Sequence, residues 1–153
     1  MIFVFLASES PENFNLPNDY TFAEISLGNL FYKIYNTNSN YSDAKAQCES
    51  DGAFLAIPRS QGENDFFAGL IPEVIWIGIN DIEEEGNFVA VDGRDISWTN
   101  WGTAWNGVSE PNGGANENAV ELNPLWNDTP ESSLKKFVCS FHIEGIIFIS
   151  FEL

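Results

Sequence analysis

The chain has 153 residues, 44% of them hydrophobic and 14% aromatic, which suits a single domain with a real core and excludes a disordered segment. Twenty-three acidic residues against six basic ones give a formal charge of −17. Such a surface repels phosphate backbones and anionic membranes, so nucleic acid is not an expected partner, and no stretch is long enough to span a bilayer.

Residues 1–27 mix apolar pieces with Pro11, Pro17 and several Asn, and read as an N-terminal extension with one strand. Residues 1–7 are apolar but lack a basic leader and are short for a signal peptide. Residues 29–35 (NLFYKIY) predict a strand bounded by Gly28 and an Asn-rich turn. Residues 41–50 (YSDAKAQCES) predict a helix with Ser42 as its cap, Asp43 in the first turn and Gly52 just past its end. A second helix follows Ser60, which with Glu63 has the S-x-x-E spacing ahead of DFFAGL; Pro72 stops it.

Residues 75–79 (IWIGI) fit a short, fully buried strand. After Gly86, NFVAV is strand-like and ends in the turn pair Asp92-Gly93. Residues 100–127 carry Gly, Asn, Pro and Trp with little periodicity and read as a long loop, a feature that is usually functional or disordered; its oxygen ligands favour function. A strand returns at 136–141 (KFVCSF), and an apolar tail, 144–153, closes the chain. Trp76, Ile77, Ile79, Trp98, Trp126 and Phe137 are expected in the core.

Cys48 and Cys139 lie far apart, with no CxxC and a single histidine, His142, so a zinc site is hard to build. One long-range disulfide in an oxidising compartment is the better reading, worth roughly 4 kcal/mol by chain entropy; two buried free thiols are the alternative. Glu110-Pro111-Asn112, Glu117 and Asn127-Asp128 together offer three carboxylates and two amides. Calcium takes six to eight oxygens from such a mixture, and three carboxylates around a dication leave room for further neutral ligands. A sugar diol suits those positions, because each hydroxyl can give a lone pair to the metal, donate to a carboxylate and accept from an amide. Taken singly, each of these residues reads as part of a polar surface loop.

From Phe31 to His142 the chain resembles a C-type lectin domain: AKAQC, FLAIPRSQGEN, WIGIND, EEGNF, NW, EPN, NEN-A-VEL, WND and FVC occur in family order. The resemblance implies an α+β double-loop fold with two helices, two small, mostly antiparallel sheets and a long calcium-binding loop. It assigns 28–143 to the domain and matches Cys48–Cys139 to the whole-domain disulfide. It also implies a principal calcium site on Glu110, Asn112, Glu117, Asn127 and Asp128, with Glu110, Asn112, Glu117 and Asn127 also holding sugar. The Glu-Pro-Asn form resembles members that prefer mannose-type sugars over galactose.

A second, less complete calcium site matches Asp81, Glu85 and Glu117, with Asn118 where Asp is usual. The family's second disulfide is absent: Ala119 sits at one expected cysteine and Glu131 near the other. Trp105 is read either as a platform for a sugar face or as a buried loop anchor. The chain offers no matched acid and nucleophile and no partner for His142, so it is not expected to be an enzyme.

The expected function is therefore calcium-dependent binding of mannose-type glycans by a secreted, extracellular protein. The rival is a structural or self-assembling module, or a protein or ice binder, in which calcium only stabilises the fold. The apolar ends, 1–7 and 144–153, are expected to form strands that either pair within the chain or join copies into a ring or filament.

Overall fold

The computed structural model describes residues 19–25 and 28–143. In chain order these form β1 (Thr21–Ile25), β2 (Gly28–Ser39), α1 (Tyr41–Ser50), β3 (Phe54–Leu55), α2 (Gln61–Leu70), β4 (Ile75–Asn80), β5 (Val89–Ala90), β6 (Ala119–Leu122), β7 (Trp126–Thr129) and β8 (Lys135–Ile143). Residues 1–18 and 144–153 lie outside the described part, and with them the expected terminal strands.

The strands form one mixed sheet in the order β1-β2-β8-β4-β6-β7, with β3 on β8 and β5 on β4. The two small sheets expected from the resemblance are thus joined, and β4 is the seam. It runs parallel to β8 at Ile75–Lys136 and Trp76–Phe137, and antiparallel to β6 at Ile75–Leu122 and Trp76–Glu121. All six β4 residues are buried, as its unbroken apolar run requires. β2 and β8 pair from Asn29–Ile143 to Tyr35–Phe137, bringing the two ends of the domain together.

Both expected helices form, with corrections at their starts. Asn40, not Ser42, caps α1: its Oδ1 accepts from the Asp43 N–H at 2.8 Å. Tyr41 is wholly buried and must already be helical, which leaves Ser42 inside the first turn. Ser60 caps α2 as expected, accepting from the Glu63 N–H at 3.2 Å. The Glu63 carboxylate reaches the Arg59 N–H at 2.8 Å, one residue short of the reciprocal bond of a capping box.

The disulfide Cys48–Cys139 ties α1 to β8 inside a buried cluster with Tyr41, Leu55, Trp76 and Phe137. A second cluster, with Phe67, Ile77, Ile79, Val120 and Trp126, fills the space under α2. Trp98 is half-buried, its ring edge-on to Trp126 at 5.6 Å.

The stretch 100–127 is not a structureless loop. It holds a bridge between Trp101 and Trp126, another between Thr103 and Ser109, a 3-10 turn at Gly114–Asn116, and β6. NFVAV contributes only the two residues of β5.

Candidate functional site

Trp126 sets the position of the site. Its indole N–H donates to Asn64 Oδ1 at 2.8 Å, and Asn64 Nδ2 donates to the Pro124 carbonyl at 2.8 Å, so α2 grips the strand entering β7 from below. Asn127 and Asp128 follow in β7, opposite Glu121 and Val120 of β6.

Asp128 is buried and clasps the Glu-Pro-Asn turn. Its Oδ1 accepts from the Asn112 N–H at 3.0 Å and its Oδ2 from the Gly113 N–H at 2.7 Å. The Glu110-Pro111 bond before it is cis. Glu110 is anchored through its own N–H to the Gly102 carbonyl at 3.0 Å. Glu117 leaves the 3-10 turn and folds back over Gly113, where any Cβ would collide with the Glu117 side chain, so this position requires glycine.

The carboxyls are crowded. Burial first, then the neighbouring Asp128, holds the Glu110 carboxyl above the ordinary range; an Asn112 hydrogen bond offsets part of this. Glu117 is raised in the same direction, by burial and then by the charges of Asp128 and Glu121. The structure thus brings Glu110, Asn112, Gly113, Glu117 and Asp128 into one neighbourhood, with Asn127 beside Asp128.

Of the second expected site, Asp81 and Asn118 meet: the Asp81 N–H donates to the Asn118 carbonyl at 3.1 Å. Asp81 Oδ2 accepts from the Gly86 N–H at 2.8 Å, while Glu85 is exposed on that turn.

Among the described residues, no group of three or more His, Cys, Asp or Glu is drawn together tightly enough to hold a metal ion. A fit to a cation is nonetheless written in the unpaired atoms. Four buried side-chain atoms among the described residues lack a hydrogen-bond partner, and three are oxygens of expected ligands: Glu110 Oε2, Asp81 Oδ1 and Asn118 Oδ1. Buried acceptors without donors are costly, and a hard cation satisfies them.

Trp105 is 99% exposed, which rules out a buried anchor. It stands on a hairpin closed by the Thr103–Ser109 bridge and by the Ala104 N–H on the Val108 carbonyl at 2.8 Å, with Gly107 at φ 83° making the turn. A cavity of about 280 Å³ lies elsewhere, lined by Phe54, Ile57, Asp92, Arg94, Phe141 and His142 among others, and none of the expected ligands reaches it.

Three residues with contacts around this neighbourhood escaped the sequence reading: Asn64, bonded to Trp126, and the Glu121–Lys135 pair beside Asn127. Asn64 carried no signal, being a polar residue in a capped amphipathic helix. Glu121 carried a weak one, its place within the quoted NEN-A-VEL run.

The model of the "Lectin C-type domain" family matches residues 37–141. The human "C-type lectin domain family 3 member A" is 37% identical over 114 residues, covering 68% of this chain and 55% of the relative, so the chain spans about half the length of that protein. The cow C-type carbohydrate-recognition domain of CD23, in the presence of GlcNAc2Man3 oligosaccharide, superposes with a TM-score of 0.71 at 25% identity, covering 84% of this chain and 97% of the other. A calcium-independent type II antifreeze protein superposes with a TM-score of 0.73 at 17% identity, covering 94% and 98%, a likeness of fold alone. With motif order, disulfide and topology in agreement, the chain belongs to the C-type lectin domain family, whose members are binding domains and not enzymes.

Proposed function

We propose that this chain binds glycans through a calcium ion held by Glu110, Asn112, Glu117, Asn127 and Asp128, as a secreted, extracellular lectin whose domain spans 28–143. The observation that carries the reading is the unpaired Glu110 Oε2, buried beside Asp128 and Glu117 with no donor to satisfy it. Calcium, when bound, supplies open coordination positions for two neighbouring hydroxyls. Around them, Glu110 and Glu117 accept the hydroxyl protons, and Asn112 donates from its exposed amide. The Glu-Pro-Asn order supports mannose-type sugars, whose paired hydroxyls are equatorial. Asp81, Asn118, Glu85 and Glu117 form a candidate second calcium site, supported by the unpaired Asp81 Oδ1 and Asn118 Oδ1.

A second reading has one observation in its favour. Asp128 accepts from the backbone N–H groups of Asn112 and Gly113 through both carboxylate oxygens, as a module using the loop only for structure would need. Isothermal titration with mannose and with galactose, in millimolar calcium and in chelator, separates the two. Heat with mannose that disappears in chelator is the expected result. Silence with both sugars removes the lectin reading, and a galactose preference removes only the mannose assignment.

A further inference from the structure

Asn127 and Glu121 face each other across the β6–β7 pair. Asn127 Nδ2 donates to Glu121 Oε1 at 3.2 Å and to the Asp128 carbonyl at 2.7 Å, which uses both protons of the amide. Turning the amide over would set its carbonyl oxygen against two acceptors, so its orientation is dictated by chemistry. The same two bonds leave Asn127 Oδ1 without a donor among the described residues.

Glu121 is itself held. Its Oε2 takes the Lys135 ammonium at 2.5 Å, and the two side chains are only 19% and 14% exposed. The ammonium also lies 5.0 Å from the centre of the Trp76 ring, and Trp76 is fully buried with its N–H on the Ser39 carbonyl at 2.8 Å. A chain of contacts thus runs from the core to one amide of the site. A partly buried ion pair is weak evidence of stabilisation, because desolvation offsets much of the attraction. Its place beside the site is what calls for an explanation.

We infer that Glu121, braced by Lys135, is a positioning residue for the calcium site: it fixes the Asn127 amide so that Oδ1 is reserved for the cation. The inference rests on the calcium reading above and adds a residue outside the ligand set. Lys135 pairs with Glu121 and offsets part of the charge that Glu121 brings to the neighbouring Glu117.

Two measurements on the full chain test it. In 15N-labelled, metal-free protein, the Asn127 side-chain amide should show slowed hydrogen exchange. Glu121→Ala should abolish the protection of the proton bonded to Glu121, leaving that on the Asp128 carbonyl, and Glu121→Gln, which keeps an acceptor oxygen, should restore part of it. Calcium titration should then show affinity lowered roughly ten- to a hundredfold by Glu121→Ala, as for other outer-shell partners of metal ligands, and much less by Glu121→Gln. Because Glu121→Ala strands Lys135, the double variant Glu121→Ala/Lys135→Met provides the folded control and should bind calcium as weakly. If wild type binds calcium and the double variant binds it equally well, or if Asn127 exchange is unchanged in Glu121→Ala, the positioning role is overturned and the lectin reading stands. If wild type binds no calcium, the lectin reading fails and this inference fails with it.

Discussion

The indole N–H of Trp126 donates across 2.8 Å to the amide oxygen of Asn64, joining α2 to the strand that carries Asn127 and Asp128. Both side chains are completely buried, and Asn64 Nδ2 donates to the Pro124 carbonyl. One amide therefore satisfies the indole N–H, which would otherwise be orphaned beneath the site, and shares the Pro124 carbonyl with the Asn100 amide.

Asn64→Leu keeps the volume and removes both bonds. Each buried orphan costs about 1–3 kcal/mol, so a loss of about 3 kcal/mol is expected. Urea unfolding in chelator should show a lower midpoint at an unchanged slope. An unchanged midpoint would show that the network adds nothing to the fold.

Calcium should stabilise the domain strongly, because Glu110, Glu117 and Asp128 repel one another without it. The second disulfide that the resemblance implies for this loop is also missing, with Ala119 at one expected cysteine and Glu131 near the other. Free calcium at about a thousand times its dissociation constant adds roughly 4 kcal/mol by linkage, or about ten degrees in melting temperature for a domain of this size. Melts in calcium and in chelator should differ accordingly, and Asp128→Asn should remove most of the difference. Superimposable wild-type curves would refute the claim.

The parts of this architecture that were legible share one property: their signals are local. Ser60 and Glu63 mark a helix start within four residues, and Glu-Pro-Asn and Trp-Asn-Asp place their proposed ligands side by side. What was missed depends on distant partners. β6 and β7 have four residues each and are mostly buried, so no alternation separated them from loop. Asn64 finds Trp126 across 62 positions, a pairing that no window on the sequence contains. The α1 cap was misplaced by two residues because Asn40 and Ser42 are both good caps, and only the burial of Tyr41 decides between them.

Acid should weaken the fold first through His142. Burial lowers its pKa below 6.5 and the positive charges of Arg94 and Arg59 add to this; Glu63, 3.8 Å away, and Asp92 pull the other way without prevailing. The native imidazole thus refuses a proton that the unfolded chain accepts, so stability falls as pH drops below about 6.5 and levels off beneath the folded-state value. Asp92 titrates in a separate, lower window. Burial opposes its ionisation, but the Arg94 N–H and the guanidiniums of Arg59 and Arg94 outweigh this and hold it below the carboxylate range. Its stabilisation is present above its unfolded value and lost as pH falls through the folded one. In chelator, His142→Gln should flatten the melting temperature between about pH 7 and pH 5.5. A variant as pH-sensitive as wild type would exclude His142 as the source.

Trp105 provides the sharpest test of how far the sugar surface extends. Its hairpin is rooted at Gly102, whose N–H bonds the Trp126 carbonyl at 2.8 Å and whose carbonyl takes the Glu110 N–H at 3.0 Å. The hairpin thus carries the exposed indole on the same loop as Glu110, a candidate platform for a second sugar residue. Nothing packs on it, so Trp105→Ala should leave the melting temperature unchanged. Affinity for a monosaccharide should also hold, because the calcium ligands are untouched. Affinity for an oligosaccharide should fall several-fold, the loss of about 1 kcal/mol of ring stacking, and Trp105→Phe should recover part of it. Equal loss for both ligands would place the indole on the first sugar. No loss for either would remove Trp105 from the binding surface.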